Sequence, residues 1–262
     1  MLVPQKSFST TRFLRPYFRH EWHYFDLSRM GEGADLVHLS HAYDIAGLPP
    51  AARSERVRTL CIDLDGDERN WRKLTKGCRY DIKRAEADGV LCDVTAAPSE
   101  AELRRFAAEA EDLYQRKGLK ILPLDFYLRN AARGELLLSR AHRDGQTLSA
   151  HVHLARGDVA LLVSSISLLH GRDPADRQLA GRANRLNHWR DILAMKERGC
   201  ATLDLGACCE EGGEDRPESR SLRAFKLEFG ARERNAWYLT LALTRKGRLL
   251  HALQRLKAAF RP

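Results

Sequence analysis

Leu203-Asp204-Leu205-Gly206 and, a little further on, Phe225-Lys226-Leu227-Glu228-Phe229-Gly230 are the stretches that decide how this chain folds. The first reads as a short strand over 202–205 that ends at a glycine. The second reads as a helix over 222–229 on which Phe225 and Phe229, one turn apart, point the same way. A basic helix over 180–198 precedes them and a strand over 236–243 follows, so this part of the chain alternates helix and strand.

Working outward, residues 135–141, 147–155 and 158–169 read as three successive strands, with turns at Asp144-Gly145 and Arg156-Gly157-Asp158. Ser99 and Glu102 form a capping box, and Leu103, Phe106, Ala110 and Leu113 recur behind it at helical spacing. Gly118 stops that helix, and a short one follows over 125–132. Nearer the start, 57–64 and 90–94 read as strands. Between them Asp67 caps one helix predicted to run to Asp88, with Gly89 as its stop.

The fold class expected is α/β: a single domain over 56–244 with a central, mostly antiparallel sheet flanked by helices. Residues 1–55 form an N-terminal extension whose aromatics, among them Phe13, Tyr17, Phe18, Trp22, Tyr24 and Phe25, favour order; it ends near Gly47-Leu48-Pro49-Pro50. Residues 245–262 form a basic amphipathic helix with Leu249, Leu253, Leu256 and Phe260 on its packed face.

The chain has 262 residues and a net charge of +9, with a pI near 9.4, which favours polyanionic partners such as RNA, nucleotides or an anionic membrane surface. No run reaches the roughly 18 apolar residues of a spanning helix, so membrane contact, if any, is peripheral. Six cysteines without a Cys-x-x-Cys pair or a leader fit reduced thiols in the cytoplasm. His20-Glu21-Trp22-His23 and His151-Val152-His153 complete no zinc spacing, and no metal is expected. Ser164, Ser165 and Ser167 lack a Gly-x-Ser-x-Gly elbow, which disfavours a serine hydrolase.

On the predicted 68–88 helix, Arg69, Arg72, Lys76, Arg79 and Lys83 line up beside the apolar stripe Trp71, Leu74, Cys78, Ile82 and Ala85. Such a row repels itself unless it is solvated or neutralised by phosphates. A solvated face is the plain reading of this row; the family resemblance given below, which implies that this helix borders the substrate cleft, makes Arg72, Lys76, Arg79 and Lys83 candidates for binding an anionic substrate.

Several segments together resemble the FemABX family: Arg79-Tyr80-Asp81-Ile82-Lys83-Arg84-Ala85, Gly89-Val90, the helix from Asn184 through His188-Trp189 to Gly199, the strand end Leu203–Gly206, and Phe225-Lys226. These enzymes are aminoacyl-tRNA-dependent aminoacyltransferases whose domains have the GNAT acetyltransferase fold, usually two per chain. The likeness spans residues 57–240, which leaves room for one domain and makes residues 1–55 a remnant of a first.

The resemblance implies amide-bond formation from aminoacyl-tRNA as co-substrate, without a bound cofactor, onto an amine of a peptidoglycan precursor or small metabolite. It places Phe225 and Lys226 at the reacting end of the donor, with Lys226 meeting the oxyanion. Asp204 is either a base or a brace for the local backbone, and His188 is either a base or a packed side chain. Gln178-Leu179-Ala180-Gly181-Arg182-Ala183 also fits the Gln/Arg-x-x-Gly-x-Gly/Ala pattern by which GNAT enzymes cradle the coenzyme A pyrophosphate at a helix start. Gln178, Gly181, Arg182 and Arg185 are thus donor-binding candidates, with acyl-coenzyme A or acyl carrier protein as the alternative donor. A non-catalytic RNA-binding relative is a third reading, carried by charge. Residues 207–220 form an acidic, glycine-containing loop that serves as lid, as screen or as plain solvated connection.

Overall fold

The structure is a computed structural model describing residues 20–25, 33–45, 52–116, 122–168, 173–210 and 217–259. Its elements begin with β1 (His20–Tyr24), β2 (Leu36–Ala42), β3 (Arg53–Asp63), α1 (Asp67–Lys73), α2 (Lys76–Ala87), β4 (Leu91–Thr95), α3 (Glu100–Arg116) and α4 (Leu124–Ala132). They continue through β5 (Leu136–Arg143), β6 (Gln146–Arg156), β7 (Val159–Ser167), α5 (Pro174–Glu197), β8 (Thr202–Glu210), α6 (Pro217–Leu227), β9 (Arg232–Ala242) and α7 (Arg245–Ala259). The fold is of the mixed α/β class. The chain divides into two compact units, one chiefly Thr59–Cys208 with Glu214–Glu233, the other chiefly Pro4–Arg58 with Arg234–Pro262.

In the first unit β4, β5, β6 and β7 form an antiparallel meander, and β8 then joins β7 in parallel. Alternation along β6 sorts its side chains. Val152 lies opposite Ser164, whose hydroxyl bonds Tyr127 of α4 at 2.8 Å, while His151 and His153 face α5. Phe106 of α3 and Tyr127 meet edge to face at 5.7 Å and are fully buried. The capping box is in place: Ser99 N–H donates to Glu102 Oε2 at 2.8 Å and Glu102 N–H to Ser99 Oγ at 3.3 Å.

Three expectations are corrected in this unit. The helix over 68–88 is two helices, because Leu74 turns extended and Thr75 caps a new start by accepting from Cys78 N–H. The helix expected from Ala180 begins at Pro174: Asp173 accepts from Asp176 N–H, and proline suits the first helical position, where no N–H is needed. The strand expected to stop at Leu205 runs on to Glu210. Residues 211–216 of the acidic loop lie outside the described residues.

In the second unit β1 runs parallel to β2, and β2 antiparallel to β9. Ala34, Val37, Leu39, Ala42, Leu239 and Leu241 form its core. Helix α7 is rotated from the expected face. Leu249 is 63% exposed and Leu253 50%, whereas Leu250 is 2% exposed. The pivot is Gly247, where a Cβ would fall 2.0 Å from Asp35 O; only the glycine face fits against that backbone, and this sets which leucines are covered. The Leu256 side chain, Phe13, Tyr17, Phe18, the Gly47 turn, Gly118 and Phe260 lie outside what is described.

Candidate active site

Among the described residues β7 and β8 pair through Val159 with Thr202, Ala160 with Leu203, and Leu161 with Asp204, and none beyond Asp204 is paired between these two strands. In sheets with parallel strands, ligands gather outside the carboxyl ends, where backbone groups are released from the ladder. The Leu203–Gly206 segment and Phe225-Lys226, distant in sequence, meet here.

Lys226, 2% exposed, donates from Nζ to Gly206 O at 2.9 Å and Ala207 O at 3.1 Å. A buried ammonium requires such acceptors, since leaving it unbonded would cost several kcal/mol. Gly206 sits at φ 80° and donates its N–H to Asp204 Oδ1 at 2.5 Å; the same oxygen accepts from the Thr59 hydroxyl. Thr59, Asp204, Gly206 and Lys226 thus form one network. Asp204 Oδ1 accepts from both a backbone N–H and a hydroxyl. Thr59 had no sequence signal, since nothing in its own strand marks what it faces.

Beside the network, Phe225 packs on Phe229 at 5.3 Å and on His188 at 5.4 Å, with the Arg185 guanidinium over its ring at 5.2 Å. Arg185 is held by Glu228 (2.8 and 3.1 Å) and lies 3.4 Å from Asp81. Arg182 is 3.3 Å from Asp88 and 3.7 Å from Asp81. Both arginines therefore tie α5 to its neighbours through carboxylates. Gln178 to Ala183 lie inside α5, past its first turn, so their N–H groups belong to the helix ladder and present no free phosphate cradle at a helix start. A Cβ at Gly181 would meet only Arg185 Nη1, at 3.7 Å.

The cationic stripe is likewise divided. Arg79 caps α1, donating to Leu74 O at 2.6 Å and Arg72 O at 3.2 Å. Arg72 pairs with Glu68 on its own helix. Lys76 and Lys83 are exposed on α2. Trp71 meets Trp189 of α5 at 5.0 Å, in line with the apolar stripe.

Under α5 lies a second buried group that the sequence reading did not assemble. His151 approaches Asp191 through Nδ1 (2.6 Å) and Asn184 through Nε2 (2.8 Å), and stacks on His188 at 4.2 Å. Burial pushes the His153 imidazole down to about 4 and holds His188 well below its usual value. Burial opposes ionisation of Asp191, yet the fields of His153 and His151 hold its carboxyl down at about 2. The signals were present as pairs on one face each, His151 with His153 on a strand and His188 with Asp191 on a helix. Burial pushes the thiols of Cys78 and Cys92 up to about 12, which argues against a thiolate nucleophile at either. Among the described residues no helix is long and apolar enough to cross a membrane.

Residues 72–216 match the family model described as an acetyltransferase (GNAT) domain. No curated protein matches the chain in sequence. Among solved structures, FemX aligns with a TM-score of 0.58 at 13% identity, covering 78% of this chain and 72% of FemX. L-PGS from Bacillus licheniformis aligns at 0.53 and 14% identity, covering 84% of this chain and 72% of its own. A conserved protein of unknown function from Bacteroides thetaiotaomicron aligns at 0.52 and 11%, covering 78% and 69%. At these identities the likeness is one of fold.

Proposed function

The chain belongs to the family of GNAT acetyltransferase domains and is of the acyltransferase kind, and we propose that the group it moves is an aminoacyl group, carried from aminoacyl-tRNA to an amine. The observation that carries this reading is the Lys226 ammonium, fixed on the stretch of β8 that has left β7, beside the Phe225 ring. A fixed positive charge at such a place favours an oxygen on which negative charge develops.

In the reaction, the lone pair of a neutral acceptor amine attacks the ester carbonyl carbon, a C–N bond forms, and negative charge moves onto the carbonyl oxygen near Lys226. The ester C–O bond then breaks, and the ribose oxygen leaves with the proton given up by the amine. The ester is already activated, so the step requires no bound cofactor. Asp204 and Thr59 act through Gly206, holding the carbonyl that orients Lys226. Lys76 and Lys83 remain to meet donor phosphates. The acceptor is an amine of a peptidoglycan precursor or small metabolite, and the place of action the cytoplasm, where charged tRNA is found.

Two observations favour the tRNA ester over coenzyme A: the helical N–H groups of Gln178 to Ala183, and the FemX-like fold. The description of the matched family favours the second reading, an acyl-coenzyme A donor. Purified protein is incubated with radiolabelled aminoacyl-tRNA or acetyl-coenzyme A and a panel of amines. Ribonuclease-sensitive amide formation is expected; transfer from acetyl-coenzyme A alone would sink the tRNA reading.

A further inference from the structure

Asp191 stands at the centre of three imidazoles. Its Oδ2 lies 2.6 Å from His151 Nδ1, 3.7 Å from His153 Nε2 and 4.0 Å from His188 Nδ1. One donor atom from each of His151, His188 and Asp191 lies within 4.8 Å of the others. A zinc-sized ion bound tetrahedrally at about 2.1 Å sets its donor atoms about 3.4 Å apart, and the three separations fall on either side of that value.

The second observation is what these groups lack. His188 Nδ1, both nitrogens of His153 and Asp191 Oδ1 have no hydrogen-bond partner among the described residues, and all are buried. Unpaired buried polar atoms each cost about 1–3 kcal/mol, a cost that a bound ion would relieve for the atoms it meets. The third is the direction of His151. Its Nδ1 lies 2.6 Å from Asp191 Oδ2 and its Nε2 2.8 Å from Asn184 Oδ1, so the ring is oriented at both nitrogens. A hydrogen bond on the remote nitrogen is the arrangement that orients metal-bound imidazoles.

We propose that His151, His188 and Asp191 bind a divalent first-row transition ion of the zinc type. Imidazole nitrogens with a single carboxylate suit such ions, whereas magnesium and calcium take oxygen-rich sets. The ion joins β6 to α5 directly beneath the His188–Phe225 contact. The site is independent of which acyl group the enzyme transfers.

The test uses the full chain, stripped by chelator, dialysed and titrated with zinc against a chromophoric competitor, with metal content read by mass spectrometry. About one zinc per chain is expected. His188→Gln and Asp191→Asn each weaken it more than ~100-fold, and Asn184→Ala, outside the ligand set, about 10–100-fold. Cobalt in place of zinc gives the visible absorption of a tetrahedral site, lost in His188→Gln. Failure of the intact chain to bind zinc overturns the proposal and leaves a proton between His151 and Asp191. So does zinc binding undiminished in both His188→Gln and Asn184→Ala, which assigns the metal to surface groups such as His142 and Asp93.

Discussion

Two buried polar groups in the same unit make opposite use of burial. Around Lys226, the ammonium meets two carbonyls, and one carboxylate oxygen of Asp204 accepts both a backbone N–H and a hydroxyl. Around Asp191, nitrogens and an oxygen converge and several are left unbonded. A completed network holds a backbone in one shape. An incomplete one, equally dry, is destabilised until something enters it. The contrast separates a brace with its charge in place from a receptor for a cation.

The largest expected effect lies on the completed side. Lys226→Ala should lower the transfer rate about 100- to 1000-fold, read by steady-state kinetics once the assay above has fixed the donor. A folded variant with an unaltered rate would reduce Lys226 to scaffold. Next, Asp204→Ala should destabilise the protein by roughly 3 kcal/mol in urea unfolding, since it orphans two buried donors, while Asp204→Asn, which keeps an acceptor oxygen, recovers part of that.

On the incomplete side, zinc at a hundred times its dissociation constant should add about 2.7 kcal/mol of stability, and a chelator should remove it again. A melting temperature indifferent to both would erase the contrast. The smallest effect separates the two groups most sharply. His153→Leu in metal-free protein should change stability by less than ~1 kcal/mol or raise it, because no hydrogen bond is lost, while zinc affinity stays close to that of the intact chain.

Much of the fold was legible along the chain. The capping box at Ser99 and Glu102, the meander of β5, β6 and β7, and the inward Phe225 and Phe229 follow from patterns closed within a few residues. Where the reading failed, a single local choice outweighed a longer periodicity. Thr75 caps a second helix inside an unbroken apolar stripe, and Asp173-Pro174 starts α5 before the Gln178 pattern, drawing that pattern into the helix. On α7 the leucine periodicity was real, but the contact at Gly247 decided which face was covered.

The candidate site was half legible. Lys226, Phe225 and Asp204 stand out through the family resemblance, and they do share one locality. Arg79, Arg182 and Arg185 look the same in sequence as phosphate-binding cations, but the structure sets each against a carbonyl or carboxylate.

By itself, then, the order of residues determined which stretches become helix or strand and which side chains share a face, because those preferences arise between neighbours on one backbone. Only the tertiary structure decided what each face meets. His151 and Asp191 lie on different elements, and their 2.6 Å approach exists only once α5 has packed on β6. No spacing rule encodes that distance, since it is set by the packing of the whole layer between them.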